Sequence, residues 1–171
     1  MQFLLTAIVA VILLVGVESS CPSVCNCTSN NIIDGFILKG DHVNCSSKGL
    51  DSIPTDLPNN TNYLWLQNNN ISVIEDNAFN NISMLFTLDL HHNDISVIEE
   101  TTFNHLPYLI GLNLSENSIS VIEDTTFNHL PSLRLLWLNN NEISVIKDNT
   151  FNNLVNLQNL WLNNRSLKLG R

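Results

Sequence analysis

Basic residues are scarce in this sequence: 7 lysines and arginines stand against 16 aspartates and glutamates, a formal net charge of −9 over 171 residues. That deficit removes the electrostatic footprint of a nucleic-acid binder and offers no attraction to anionic membranes. Catalytic signatures are missing too. The chain has no P-loop, no G-x-G-x-x-G, no H-E-x-x-H and no G-x-S-x-G, so phosphoryl transfer, dinucleotide chemistry, zinc hydrolysis and serine catalysis all lack a carrier. The acidic, Ser and His residues that recur do so inside a repeat, as scaffold residues do. We read neither an enzyme nor a cofactor here.

Long apolar runs are also few. Phe3 to Val17 is the first, too short to favour a transmembrane helix and placed where the core of a secretory signal belongs. Val17 and Ser19 suit the −3 and −1 positions of a cleavage site, which assigns residues 1–19 to a signal peptide. No later stretch is long and apolar enough to span a bilayer, so no membrane insertion is expected after cleavage. The only four cysteines follow at once, Cys21, Cys25, Cys27 and Cys45. An even number confined to a short secreted segment reads as a disulfide framework with three arithmetically possible pairings. Thiols one residue apart in an oxidising compartment are poor zinc ligands. Asn26, Asn44, Asn59, Asn70, Asn81, Asn113 and Asn164 each open an N-x-S/T sequon without proline, consistent with a secreted glycoprotein.

The rest of the chain repeats itself: "ISVIEDNAFN", which starts at Ile71, returns with small changes from Ile95, Ile119 and Ile143. Leu64, Leu88, Leu112, Leu136 and Leu160 share one column of this repeat, and Leu66, Leu90, Leu114, Leu138 and Leu162 the column two residues on. Asn69, Asn93, Asn117 and Asn141 form a third, followed by the Ile71 and Ile74 columns and by Phe79, Phe103, Phe127 and Phe151. No single copy can bury its own apolar side chains, but stacked copies can, because each column meets itself in the next coil. The L-x-L alternation predicts a short strand with leucines inward, and successive strands form a parallel sheet with a spacing of about 4.8 Å. The Asn column is expected to be buried, its amides satisfying backbone groups left unpaired where the strand turns away.

On these residues the chain resembles the extracellular leucine-rich repeat proteins, the group of Toll-like receptor ectodomains, Slit, small leucine-rich proteoglycans and variable lymphocyte receptors. The segment "CPSVCNC" and the later "VNCSSKGLDSIP" are similar to the family's N-terminal cap, with its pattern V-x-C-x-x-x-x-L-x-x-I-P. The resemblance implies a leucine-rich repeat solenoid with short parallel strands on a concave face, an irregular or 3-10 convex side, and a disulfide-bonded cap. It also implies that Cys21 pairs with Cys27 and Cys25 with Cys45. The expected organisation is a cap over 20–60, four repeats over 61–156 and a partial fifth over 157–171. That fifth copy departs from the pattern, with Arg165 in the Asn column, Leu167 in the Ile column and Gly170 where the second Ile belongs, and no C-terminal cysteine cap follows. Either Arg171 is not the natural terminus, the preferred reading, or the open end is covered by a partner, including a second copy.

Function is expected where the columns disagree, because uniform columns are committed to packing. Those positions flank the strand leucines: Tyr63, Trp65 and Gln67; Asp89 and His91; Asn113 and Ser115; Trp137 and Asn139; Trp161 and Asn163. All three tryptophans fall in one of these columns. Rigid aromatics among amides have the composition of a protein-binding surface, so an extracellular protein ligand is expected on the concave face, in a recognition module of immune-receptor or guidance-receptor type. A matrix or adhesion component that self-associates is the alternative. A glycan at Asn113 would sit in the middle of that face. Adjacent strand residues such as His91 and His92 diverge and seldom chelate one ion, and the pairs Glu75-Asp76, Glu99-Glu100 and Glu123-Asp124 read as a solvated edge rather than a calcium site.

Overall fold

The computed structural model describes residues 21–33, 36–162 and 168–169. The signal segment and Asn163, Asn164, Arg165, Leu167 and Gly170 lie outside the described residues.

A repeat of constant length becomes a sheet without stagger. Strand β1 (Asn26–Ile33) pairs antiparallel with β2 (Phe36–Asn44), and β2 opens a parallel run through β3 (Thr61–Trp65), β4 (Thr87–Asp89), β5 (Gly111–Asn113), β6 (Leu135–Trp137) and β8 (Asn159–Trp161). From β3 onward Leu64 pairs with Leu88, then Leu112, Leu136 and Leu160. The ladder continues past each strand, with Leu66, Leu90, Leu114 and Leu138 N–H donating to the carbonyl of the next coil. The two Leu columns are fully buried through the central coils. A second, two-stranded sheet joins β7 (Val145–Ile146) to β9 (Lys168–Leu169) on the flank after the Asn turn.

Beyond the strand each coil returns through a chain of i→i−3 turns rather than a helix. In the first repeat Ala78 N–H donates to Glu75 O, Ile82 to Phe79 O and Leu85 to Ile82 O, and the pattern recurs in the next three coils from Thr102, Thr126 and Thr150. This is the turn-rich convex side expected of the solenoid. Its interior is a spine of phenylalanines, Phe79 to Phe103 to Phe127 to Phe151, with ring centroids 6.4, 6.3 and 6.0 Å apart and near-parallel planes. Offset stacking at this distance is favourable beyond the burial itself.

The asparagines lock one coil to the next. Asn93 Nδ2 donates to Leu90 O of its own coil and to Leu66 O of the preceding one, both at 3.0 Å, while its Oδ1 accepts Ile71 N–H at 3.1 Å. Asn117 repeats the set on Leu114 O, Leu90 O and Ile95 N–H, and Asn141 on Leu138 O, Leu114 O and Ile119 N–H. Asn69 reaches into the cap, donating to Cys45 O and accepting from Lys48 and Leu50 N–H. A buried amide would be costly unpaired; here each one is paired across a coil boundary.

At the N-terminus the cap supplies a strand as well as a lid. Val43 pairs with Leu64 and Asn44 with Trp65, so the first coil of the solenoid rests on β2. A register shift between Asp41 and His42 follows Gly40, whose φ of +129° suits glycine. The disulfides join Cys21 to Cys27 and Cys25 to Cys45, the pairing that the family resemblance implies. Cys25 and Cys45 are buried against the apolar end of the stack.

Two substitutions test this account. Asn117→Leu removes the acceptor of Ile95 N–H and a donor from three carbonyls, so the urea midpoint should fall by the equivalent of at least about 2 kcal/mol despite the added apolar surface. Phe103→Ala should cost about 3–5 kcal/mol, because its neighbours on both sides are held in register and cannot close the cavity.

Candidate functional site

The outward face of the sheet is built from residues that alternate with the buried leucines. One column reads Asn44, Trp65, Asp89, Asn113, Trp137, Trp161, and it exists in two forms. Where the residue is Asn or Asp, the side chain folds back on its own turn: Asn44 Oδ1 accepts Ser46 N–H at 3.0 Å, Asp89 Oδ1 accepts His91 N–H at 3.1 Å, and Asn113 Oδ1 accepts Ser115 N–H at 3.1 Å. Short carboxylate and amide side chains commonly make such local bonds. The next side chain reinforces each one, Ser46 Oγ and Ser115 Oγ donating at 2.7 Å, and His91 Nδ1 lying 2.8 Å from Asp89 Oδ1. Indoles cannot cap a turn, so where the column holds Trp the ring stands out from the sheet.

Two aromatic platforms result. Trp137 and Trp161, neighbours in register on β6 and β8, stack with centroids 4.6 Å apart and an interplanar angle of 1°. Toward the cap, Tyr63 lies 4.4 Å from the buried His42 ring and 6.2 Å from Trp65, and Phe86 meets Tyr63 edge-on at 6.2 Å. Three strand spacings, about 14 Å, separate the strands bearing Trp65 and Trp137, and the gap holds the Asp89/His91 and Asn113/Ser115 turns. The face is thus aromatic at each end and polar in the middle.

Each expected site residue among those described has a definite place on this surface. Tyr63, Trp65, Asp89, Asn113, Trp137 and Trp161 share the sheet face, and Gln67, His91 and Asn139 follow at the strand ends, all half-buried. Ser115 is buried, 7% exposed, with its hydroxyl engaged by Asn113, which leaves little of it for a partner. Asn163 lies outside the described residues. His42 and Phe86 were missing from the sequence-derived set. Phe86 precedes a strand and belongs to no uniform column. His42 stacks on Tyr63 although the two are less than one repeat apart, because the cap coil is shorter than the coils that follow, and alignment on the repeat period cannot find it.

The two adjacent histidines diverge. His91 turns to Asp89, while His92 lies 3.3 Å from Glu116 of the next coil, so they do not face one ion. Among the described residues no three His, Cys, Asp or Glu side chains are grouped to hold a metal. The sequon residues Asn26, Asn44, Asn59, Asn70 and Asn81 are exposed, Asn113 is half-buried on the sheet face, and Asn164 is outside the described residues.

Comparison with known proteins agrees with the geometry. The leucine rich repeat family model matches three overlapping windows, residues 59–117, 83–143 and 107–167, and the leucine rich repeat N-terminal domain matches residues 20–58. The chain therefore belongs to the leucine-rich repeat family, in the extracellular class that carries a disulfide-bonded N-terminal cap. It is similar to leucine-rich repeat-containing G-protein coupled receptor 6 of Danio rerio, 48% identical over 68 residues, 40% of this chain and 6% of that protein. The insulin-like growth factor-binding protein complex acid labile subunit of Rattus norvegicus is 41% identical over 70 residues, 41% of this chain and 11% of that protein. Decorin of Canis lupus familiaris is 52% identical over 48 residues, 28% of this chain and 13% of that protein. This chain spans a small part of the length of each. The cap, its disulfides and these relatives make the protein secreted or extracellular.

One strained column flanks the site. Asn68, His92, Glu116 and Asn140 all have φ between +53° and +58°, a left-handed conformation that Asn tolerates better than Glu and most other residues. His92→Asn would match its counterparts in two other coils, so thermal unfolding of this variant should shift upward by a few degrees, about 0.5–1 kcal/mol. A downward shift would mean that the exposed His92 contact with Glu116 outweighs the backbone preference.

Proposed function

We propose that this chain binds an extracellular protein through the outer, concave face of its parallel sheet and acts as a recognition module. The observation that carries this reading is the Trp137–Trp161 stack, two indoles held parallel on adjacent strands and left half-exposed. Aromatic rings fixed before a partner arrives present a large contact area at small conformational cost. The polar centre between the two platforms provides Asp89, His91 and Asn113 as orienting groups around an aromatic core, the arrangement that concentrates binding energy in a few residues. Relatives named as a receptor and as a subunit of a binding-protein complex support the same class of role. Self-association as a matrix or adhesion component remains the alternative, and sedimentation at micromolar concentration separates the two, since a monomer fits recognition of a different molecule.

The binding test is a paired capture experiment from the native extracellular fluid. Trp137→Ala with Trp161→Ala should weaken the captured partner by about two orders of magnitude in affinity, the loss of two hot-spot aromatics. Val97→Ser with Val121→Ser, which alters exposed residues away from the sheet face, should leave capture intact. The reverse pattern would move the binding surface to the opposite flank.

A further inference from the structure

Before each strand, the chain runs along a flank where two columns line a groove. Phe86, Ile110 and Arg134 stand in successive coils along one side, tied by backbone bonds from Ile110 N–H to Phe86 O and from Arg134 N–H to Ile110 O. Tyr108, Ser132 and Asn156 line the other, and the groove between them holds about 210 Å³. Ser132 Oγ donates to Pro107 O and Asn156 Nδ2 to Pro131 O, each at 2.8 Å, so the polar wall is pinned to the coil before it. These columns are uniform in neither size nor polarity, so they are not dictated by stacking.

The groove has chemical direction. At its N-terminal end Phe86, Tyr108 and Ile110 are apolar, and Tyr108 and Ile110, 51% and 38% exposed, stand together with Phe86 along one groove, where adjoining apolar side chains offer a contact surface. At its other end Arg134 is exposed and stands in none of the ion pairs among the described residues. In a chain with a net charge of −9, a guanidinium without a partner carboxylate among the described residues, at the end of an apolar groove, is available to a carboxylate from elsewhere. A guanidinium binds a carboxylate through two parallel hydrogen bonds. The volume is below the roughly 300–1,000 Å³ of small-molecule sites and suits one or two side chains. A lone cation is too little for a polyanionic sugar chain, which needs a run of them.

We infer that this flank is a specificity subsite for the protein partner, receiving an extended segment in which an aromatic or branched aliphatic residue is followed by an acidic one. The apolar residue lies over Phe86, Tyr108 and Ile110, and the carboxylate pairs with Arg134. Phe86 also meets Tyr63 edge-on, so the groove is continuous with the cap-side aromatic platform and one partner can occupy both. The inference rests on the protein-binding reading above and adds the partner's chemistry to it.

The test uses the full chain and two amidated, neutrally labelled peptides, acetyl-Gly-Leu-Phe-Glu-Glu-Gly and the same peptide with both Glu replaced by Gln, read by fluorescence polarisation. The acidic peptide should bind at least about tenfold more tightly than the Gln version, more weakly as salt rises, and Arg134→Glu should erase the difference. No ion pair among the described residues uses the Arg134 side chain, so the variant should keep the wild-type circular dichroism and melting temperature. Equal affinity for the two peptides, an acidic preference that survives Arg134→Glu, or no saturable binding of either would overturn the inference. Retention of wild-type chain, but not of Arg134→Glu, on a sulfated-glycan column would overturn it in favour of a sugar anion. If Arg134→Glu keeps the natural partner at full affinity while the tryptophan pair is required, the groove is excluded and the sheet-face reading stands. Loss of that reading alone would appear as peptide binding that survives in a chain whose tryptophan pair proves dispensable for capture.

Discussion

Every part of this molecule depends on coils that lie on one another without slippage. The force behind that is hydrophobic, since the leucine, isoleucine and phenylalanine columns are buried only when stacked. Hydrophobic contact by itself is indifferent to register, however, and leucine would pack nearly as well on a shifted neighbour. The asparagine column supplies what leucine cannot. Asn93, Asn117 and Asn141 each accept an N–H from a residue 22 positions earlier and donate to a carbonyl 27 positions earlier, and only one alignment of two coils satisfies both. Directional bonds in a buried setting set the register because their absence there is so unfavourable.

A fixed register has a consequence for recognition. Residues one period apart become neighbours at strand spacing, so a column is either uniform and structural or varied and available. In the outward column the two behaviours compete at one position. Asp89 and Asn113 spend their side chains on capping the turn, which tightens the backbone and keeps the surface low and polar. Trp65, Trp137 and Trp161 give up that cap and raise a ring above the sheet. The pattern of aromatic ends and a polar centre is the sum of these local choices, and the rigid scaffold keeps the rings where they are before any partner binds. The flank bearing Arg134 extends the same logic, with a varied column beside the sheet offering a charge where the rest of the chain has the opposite sign.

The repeat, the inward leucines and the buried asparagines were all legible in the sequence, because each rests on a periodicity that a single chain displays to itself. The tryptophan column was legible for the same reason, while the turn-rich return and the disulfide pairing came with the family resemblance. Part of what the sequence hid lies off the period. His42 and the antiparallel β1–β2 pair belong to a cap coil of different length, with a bulge after Gly40, and nothing in the alignment relates His42 to Tyr63. Ser115 looked like part of the available surface since its column varies, yet its small hydroxyl is drawn into the Asn113 cap and buried. The Arg134 groove was equally hidden, since its walls come from two columns whose neighbourhood is set by how the flank turns.

The sheet face carrying the stacked tryptophans is the proposed meeting place with a partner. Hydroxyl-radical labelling of the free chain and of the captured complex, read residue by residue by mass spectrometry, tests that proposal most directly. Strong protection of Trp137 and Trp161 is expected in the complex, with Tyr63 and Trp65 protected if one partner spans both platforms, and unchanged labelling of Val73, Val97 and Val121 on the other flank. Protection of those valines with the tryptophans still fully reactive would contradict it.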